Sequence, residues 1–235
     1  MSQSGPREES GLRIGTFAGA PIIIEPTFLF LGAYVLGSAV LDDGISALRP
    51  AAIYLGALVV AVLVHEIGHA GIAALLRIPS TRIVLTFFGG YVQFAHQPRT
   101  RWHEIAVSAA GPLANLATWA LLSFVAIESN GFGLFLSSLL WVSLILGVLN
   151  LLPGFPLDGG HILRALLSYA MPRRTASFIT ACIGLVLAAL ITLYALWAQM
   201  WWTMLVGVLL GLAAWAEIQR SRAGPQEPPS TTSNA

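Results

Sequence analysis

The sequence predicts an all-α polytopic membrane protein of about six transmembrane helices, with a small re-entrant β-hairpin between the second and the third. Three observations carry that prediction. Of the 235 residues, 56% are hydrophobic and only 10% charged, with a mean hydropathy of +0.77, whereas a soluble domain carries about 25% charged residues. Apolar runs long enough to cross a hydrocarbon layer of roughly 30 Å recur along the chain. Between two of these runs lie two β-rich stretches separated by Gly89-Gly90, which is a hairpin signal.

Residues 1–20 form a polar, Gly-rich segment without the basic-then-apolar order of a cleavable signal peptide, so the first apolar segment is expected to direct insertion itself. Pro21-Ile-Ile-Ile24 reads as a short extended piece before Glu25-Pro26, and Glu25 receives an interfacial place and no function. The expected spans are 27–41, 51–76, 104–127 and 131–152, followed by a short interfacial helix at 159–170. From Ala176 to Ala216 the chain is almost wholly apolar. As one helix this stretch would be about 60 Å long, so it must fold into two spans that turn near Gln199. Trp197, Trp201 and Trp202 flank that turn and suit an aromatic belt. Residues 21–222 thus read as one membrane domain, and 223–235, rich in Pro, Ser and Thr, as a disordered tail.

The second span carries His65-Glu66-Ile67-Gly68-His69. On a helix, residues four apart share a face, so both imidazoles can aim at one point with Glu66 beside them. This is the geometry of a zinc site in which two neutral histidines hold the ion and the carboxylate acts as general base toward a bound water. Depth strengthens the reading. Residues 51–64 are uncharged, which places the motif about 20 Å into the hydrocarbon layer. Ionisable residues there cost roughly 2.5–3.5 kcal/mol each on insertion scales, and a cation compensates a cluster of three.

All twelve basic residues are arginine. With both termini in the cytoplasm, eleven of them fall on the inside and only Arg49 on the outside, which sets the orientation by the positive-inside rule. The net charge of +1 gives no footprint for nucleic acid. The second and fourth spans then run in the same direction, and His69 and Asp158 reach the same leaflet. Asp158 is a plausible N-cap for the helix that follows it, and it also completes a His₂-Asp set with one open coordination position, one zinc per chain. Glu104, the competing acid, sits at a span end where a solvated charge needs no special role.

Asn115 reads as an interhelical hydrogen-bonding residue. Asn150 admits that reading too, but it also lies at the mouth of a Pro- and Gly-rich stretch and could donate to the oxyanion formed when a peptide carbonyl is attacked. His96 and His103 read as loop or interface residues, and His161 as a helix-start residue. The single cysteine, Cys182, excludes an intrachain disulfide and packs as a small apolar residue.

These motifs resemble the site-2 protease family of intramembrane zinc metalloproteases. The resemblance rests on His65-Glu66-Ile-Gly-His69, the Gly89-Gly90 hairpin, Ala110-Gly111-Pro112 with Asn115, and Asn150-Leu-Leu-Pro153 through Pro156-Leu-Asp158-Gly159-Gly160. It implies His65, His69 and Asp158 as zinc ligands, Glu66 as base, Asn150 as an assisting residue, and membrane-spanning helices in the lipid bilayer as substrates. Neither the PDZ insertion nor the nucleotide-sensing domain of some relatives is visible. A helical substrate hides its carbonyls, so it must be extended before hydrolysis; the hairpin either offers a strand edge for that or is simply buried against other spans. Two rival classes remain at this level: a proton- or metal-coupled carrier, which also places His, Asp and Glu within spans, and a catalytically silent scaffold.

Overall fold

The computed structural model describes residues 11–87, 89–125 and 130–223. All but the first residue of the tail expected at 223–235, the start of the polar N-terminal segment and the end of the third expected span lie outside them. The chain forms two compact units, one up to Asn150 and one from Leu151.

The first unit begins with β1 (Leu12–Phe17) and β2 (Ala20–Ile24), an antiparallel hairpin with Phe17 opposite Ala20. Its two turn residues, Ala18 at φ 49° and Gly19 at φ 84°, both have the positive φ that a type I′ turn requires. Next come α1 (Phe28–Asp43) and α2 (Leu48–Leu75), then β3 (Ser80–Thr86) and β4 (Gly89–Phe94). β2 pairs in parallel with β3, placing Ile22, Ile23 and Ile24 beside Ile83, Val84 and Leu85, and the strand order is β1-β2-β3-β4. The expected two-stranded hairpin is therefore half of a four-stranded sheet, and the extended piece at Pro21–Ile24 is an inner strand. A parallel pair needs a long crossover, which α1 and α2 supply, and pairing at that separation leaves no local trace.

Helices α3 (Arg101–Leu122) and α4 (Gly131–Asn150) complete the unit and pack on α2. Alanines line the packed faces of α2: Ala57 and Ala61 meet Leu139 and Val142, while Ala70 meets the sheet at Ala20, Ile22 and Ile83. Small residues let membrane helices approach closely, where dispersion and hydrogen bonds rather than hydrophobic exclusion hold them. At the end of α2, Arg77 takes φ 58°, Ile78 N–H donates to Ala73 O at 2.8 Å and Arg77 N–H donates to Ala74 O at 3.0 Å. This Schellman pattern satisfies the last carbonyls and buries Ile78 against Ala73.

The second unit holds α5 (Asp158–Leu167), α6 (Arg173–Trp197) and α7 (Trp201–Arg222). α6 and α7 form the expected hairpin. Gln199 is its left-handed residue, at φ 56°, and Met200 N–H donates to Ala195 O at 2.8 Å. The Arg174 guanidinium donates to the carbonyls of Ser221 and Arg222, closing the open end of the hairpin against the C-terminus of α7. Among the described residues five helical stretches are long and apolar enough to cross a membrane: Ile45–Leu75, Arg101–Leu122, Gly131–Asn150, Arg173–Trp197 and Trp201–Arg222. The first expected span corresponds to α1, whose 16 residues make about 24 Å.

The α6–α7 contact is tight at Gly207, where an added Cβ would lie 2.5 Å from Thr192 Oγ1 and 3.0 Å from its backbone nitrogen. Gly207→Val is expected to cost about 1–3 kcal/mol by overpacking and to lower the unfolding temperature. Reaction of the single thiol, Cys182, with a maleimide dye during heating reads that transition. An unchanged midpoint would contradict the packing described here.

Candidate metal centre

α2 delivers His65, Glu66 and His69 to its buried face, at 6%, 4% and 8% exposure. The imidazole centroids lie 4.7 Å apart with their planes at 79°, so the rings meet edge to face rather than stacking. Each ring is held from behind by an oxygen of α3. His65 Nδ1–H donates to Asn115 Oδ1 at 2.8 Å, and His69 Nδ1–H donates to the Val107 carbonyl at 2.7 Å. Asn115, with no exposed surface, is itself oriented because its Nδ2 donates to Ala61 O at 3.0 Å. A proton committed to Nδ1 leaves the Nε2 lone pair as the donor for a metal, the arrangement that outer hydrogen bonds impose on ligating histidines.

Gly111 marks where the two Nε2 atoms converge. A Cβ built there would lie 2.8 Å from His65 Nε2 and closer still to His69 Nε2, so the bare glycine leaves a cradle between the nitrogens that even a methyl group would fill. Two neutral imidazoles facing one small space, with a carboxylate adjacent, fit a zinc ion. A second glycine sets the approach of the helices. At Gly68 a Cβ would meet Ala110 O at 2.6 Å and Ala114 Cβ at 2.9 Å. Glu66 lies on the sheet side, where a Cβ at Gly90 would sit 2.6 Å from its Oε1 and Cγ. The carboxylate therefore packs against bare backbone of β4.

Asp158 opens α5 in the second unit, where its charge suits the positive end of the helix dipole. Within the first unit the donors for a metal are His65 and His69; the expected third ligand, Asp158, belongs to the second unit. Asn150 is the last residue of α4, and its Nδ2 donates back to Leu146 O at 3.0 Å. His96 is exposed, and its Nδ1 pairs with Gln97 O. His161 pairs through Nδ1 with Arg164 at 3.1 Å and sets its ring edge-on to Phe155. Glu104 departs from expectation. It is buried at 4% exposure in the first turn of α3 rather than solvated, because that turn packs under the end of α2 together with Val107.

The sequence reading treated Asn115 as an interhelical hydrogen-bonding residue, gave Gly68, Gly90 and Gly111 no role in the site although each lies in a motif quoted above, and passed over Val107. For Asn115 and Gly111 a signal exists: they lie four apart on α3, as His65 and His69 do on α2, so two facing pairs could have been matched. Val107 acts through its backbone carbonyl, which no residue type reveals.

Comparison with known proteins points to one family. Residues 53–133 and 125–193 match peptidase family M50. The chain is 32% identical over 189 residues to a zinc metalloprotease of Methanocaldococcus jannaschii, covering 79% of this chain and 54% of that protein. It is 37% identical over 124 residues to stage IV sporulation protein FB of Bacillus subtilis, covering 51% of this chain and 42% of that one. The chain spans about half the length of the curated relatives it matches. Among solved structures, the site-2 protease from Methanocaldococcus jannaschii matches with a TM-score of 0.66 and 29% identity, over 93% of this chain and 98% of that one.

Two substitutions separate the cradle from its support. Gly111→Ala should abolish stoichiometric zinc because its methyl group takes the place of the ion. Asn115→Leu should weaken zinc about 10- to 100-fold, the usual cost of removing a partner that orients a ligand. Competition with a chromogenic chelator measures both. Parental zinc affinity in Gly111→Ala would remove the ion from this cradle.

Proposed function

The chain belongs to peptidase family M50, the site-2 protease family, and from that premise we propose that it is an intramembrane zinc metalloprotease that hydrolyses peptide bonds of membrane-spanning substrates. The observation that carries the reading is the pair of buried histidines whose Nδ1 protons are committed to Asn115 and Val107 and whose Nε2 atoms converge over Gly111. A helix-surface decoration would need neither hydrogen bond, and buried polar groups in a bilayer are expensive without a purpose.

In this reading His65, His69 and Asp158 hold the zinc: the two histidines offer converging Nε2 atoms, and Asp158 is the anionic third ligand that a catalytic zinc site takes. When bound, zinc supplies a Lewis acid that makes water a stronger acid and polarises a carbonyl. Glu66 takes the proton from the attacking water at its carboxylate and returns it to the nitrogen of the leaving amine. Its buried place against Gly90 keeps that carboxylate from drifting. Asn150 has two amide hydrogens, of which one is used by Leu146 O; the other donates to the negative charge that develops on the attacked carbonyl oxygen. The substrate is presented as a strand. β4 stands at the end of the sheet order, so its outer edge can pair with an extended substrate running past Gly90 and Glu66.

For placement in the membrane we propose that both termini are cytoplasmic, with residues 21–222 as the membrane domain and α1 crossing despite its shortness. The support is the eleven-to-one distribution of arginines.

Glu66→Gln should retain zinc while cleavage falls by about 10²–10⁴-fold, the typical contribution of a general base. Asp158→Ala should lose zinc and cleavage together. Loss of zinc by both variants alike would make Glu66 a ligand, and loss of ion transport by both, with no cleavage by the parent chain, would make the protein a carrier. Impermeant thiol labelling of single cysteines in a Cys182→Ala background should modify positions near Arg99 only from the cytoplasmic side. Labelling from outside would reverse the orientation.

A further inference from the structure

A cavity of about 470 Å³ opens where the start of α1 faces the turn between β3 and β4, lined by Glu25, Thr27, Phe30, Thr86 and Phe87. Its walls are mostly apolar, and it holds one carboxylate. The only hydrogen bond of the Glu25 side chain among the described residues is from the Thr27 hydroxyl to Oε2, at 3.4 Å. No cation pairs with it there. The main chain of Glu25 is fixed, since its N–H donates to Leu85 O at 2.9 Å.

The register of the sheet ties this cavity to the general base. Leu85, which anchors Glu25, pairs with Gly90, and Thr86 pairs with Gly89. Gly90 is the residue whose backbone lies against the Glu66 carboxylate. Thr86 is therefore one strand step and one strand spacing from that point, about 3.3 Å and 4.8 Å. Glu25 lies on the far side of β3 from β4, so a substrate along the outer edge of β4 is about three strand spacings, roughly 14 Å, from it. A long basic side chain and the Glu25 side chain bridge that span together across the end of the hairpin.

We propose that this cavity is a side-chain subsite that selects a basic residue, arginine or lysine, close to the bond that is cut. The inference rests on the protease reading above. The apolar stem of such a residue lies along Phe30 and Phe87, the cation meets Glu25, and an aromatic face adds cation–π attraction that favours arginine. An acidic residue is repelled at the same place. The geometry also suits the border of the bilayer, where a substrate helix ends in polar residues while its neighbours remain apolar.

The test uses the 235-residue chain, zinc-loaded in lipid nanodiscs, with fluorogenic single-span Leu/Ala peptides. Each peptide carries Arg, Leu or Glu at one of the three positions on either side of the cut. At one position Arg should raise kcat/KM about tenfold over Leu, as one charge-assisted contact in a half-buried site does, and Glu should be worst. Glu25→Gln should erase that preference, bringing kcat/KM for the Arg and Leu peptides together. Glu25→Arg should invert the preference toward Glu, which a merely structural role for Glu25 would not produce. Cleavage of the Leu peptide without any position-specific charge preference overturns the subsite and leaves the protease reading standing. A preference that persists in Glu25→Gln overturns it as well. Failure of the parent to cleave any peptide overturns the protease reading and the subsite with it.

Discussion

The close approach of α2 to α3 is the constraint on which the rest of the site depends. Two glycines allow it. Gly68 lets the backbone of α2 settle against Ala110 and Ala114, and Gly111 leaves room where the imidazoles face each other. Only at that separation can His65 and His69 reach Asn115 and the Val107 carbonyl at 2.8 and 2.7 Å. Each of those hydrogen bonds fixes a tautomer, so a packing distance between helices becomes a statement about which nitrogen is free to bind a metal.

A bilayer makes such precision necessary. Unpaired polar groups in hydrocarbon cost several kcal/mol each, and water is not there to rescue them. The chain answers within the first unit by pairing β2, β3 and β4 in one ladder, with Ile83, Val84 and Leu85 fully enclosed. The sheet is thus tolerated because it is covered on its inner side by α2, whose Ala70 packs on Ile83. The same economy shows at helix ends. Arg77 and Gln199 accept a left-handed backbone, at about 1–2 kcal/mol each, so that the final carbonyls of α2 and α6 are satisfied.

Glu66 belongs to both halves of this arrangement. It stands on the helix that carries the histidines, yet its carboxylate rests on β4, so helix and sheet together hold that carboxylate in place. The bare glycine at position 90 is what admits the carboxylate.

Much of this was legible in the sequence, and the reason is periodicity. Apolar runs of span length, the i, i+4 spacing of His65 and His69, the break after Asn150 and the turn at Gln199 are all local patterns, and local patterns survive in a one-dimensional string. The helix bounds follow them within a few residues: α2 runs over Leu48–Leu75 where 51–76 was expected, and α4 over Gly131–Asn150 where 131–152 was expected. Only the tertiary structure decided the rest. The parallel pairing of β2 with β3 joins residues about sixty positions apart, the burial of Glu104 depends on what packs over it, and Val107 contributes a backbone atom that any residue would carry. Distance along the chain does not encode those contacts, because each arises from the close packing of surfaces that the sequence lists far apart.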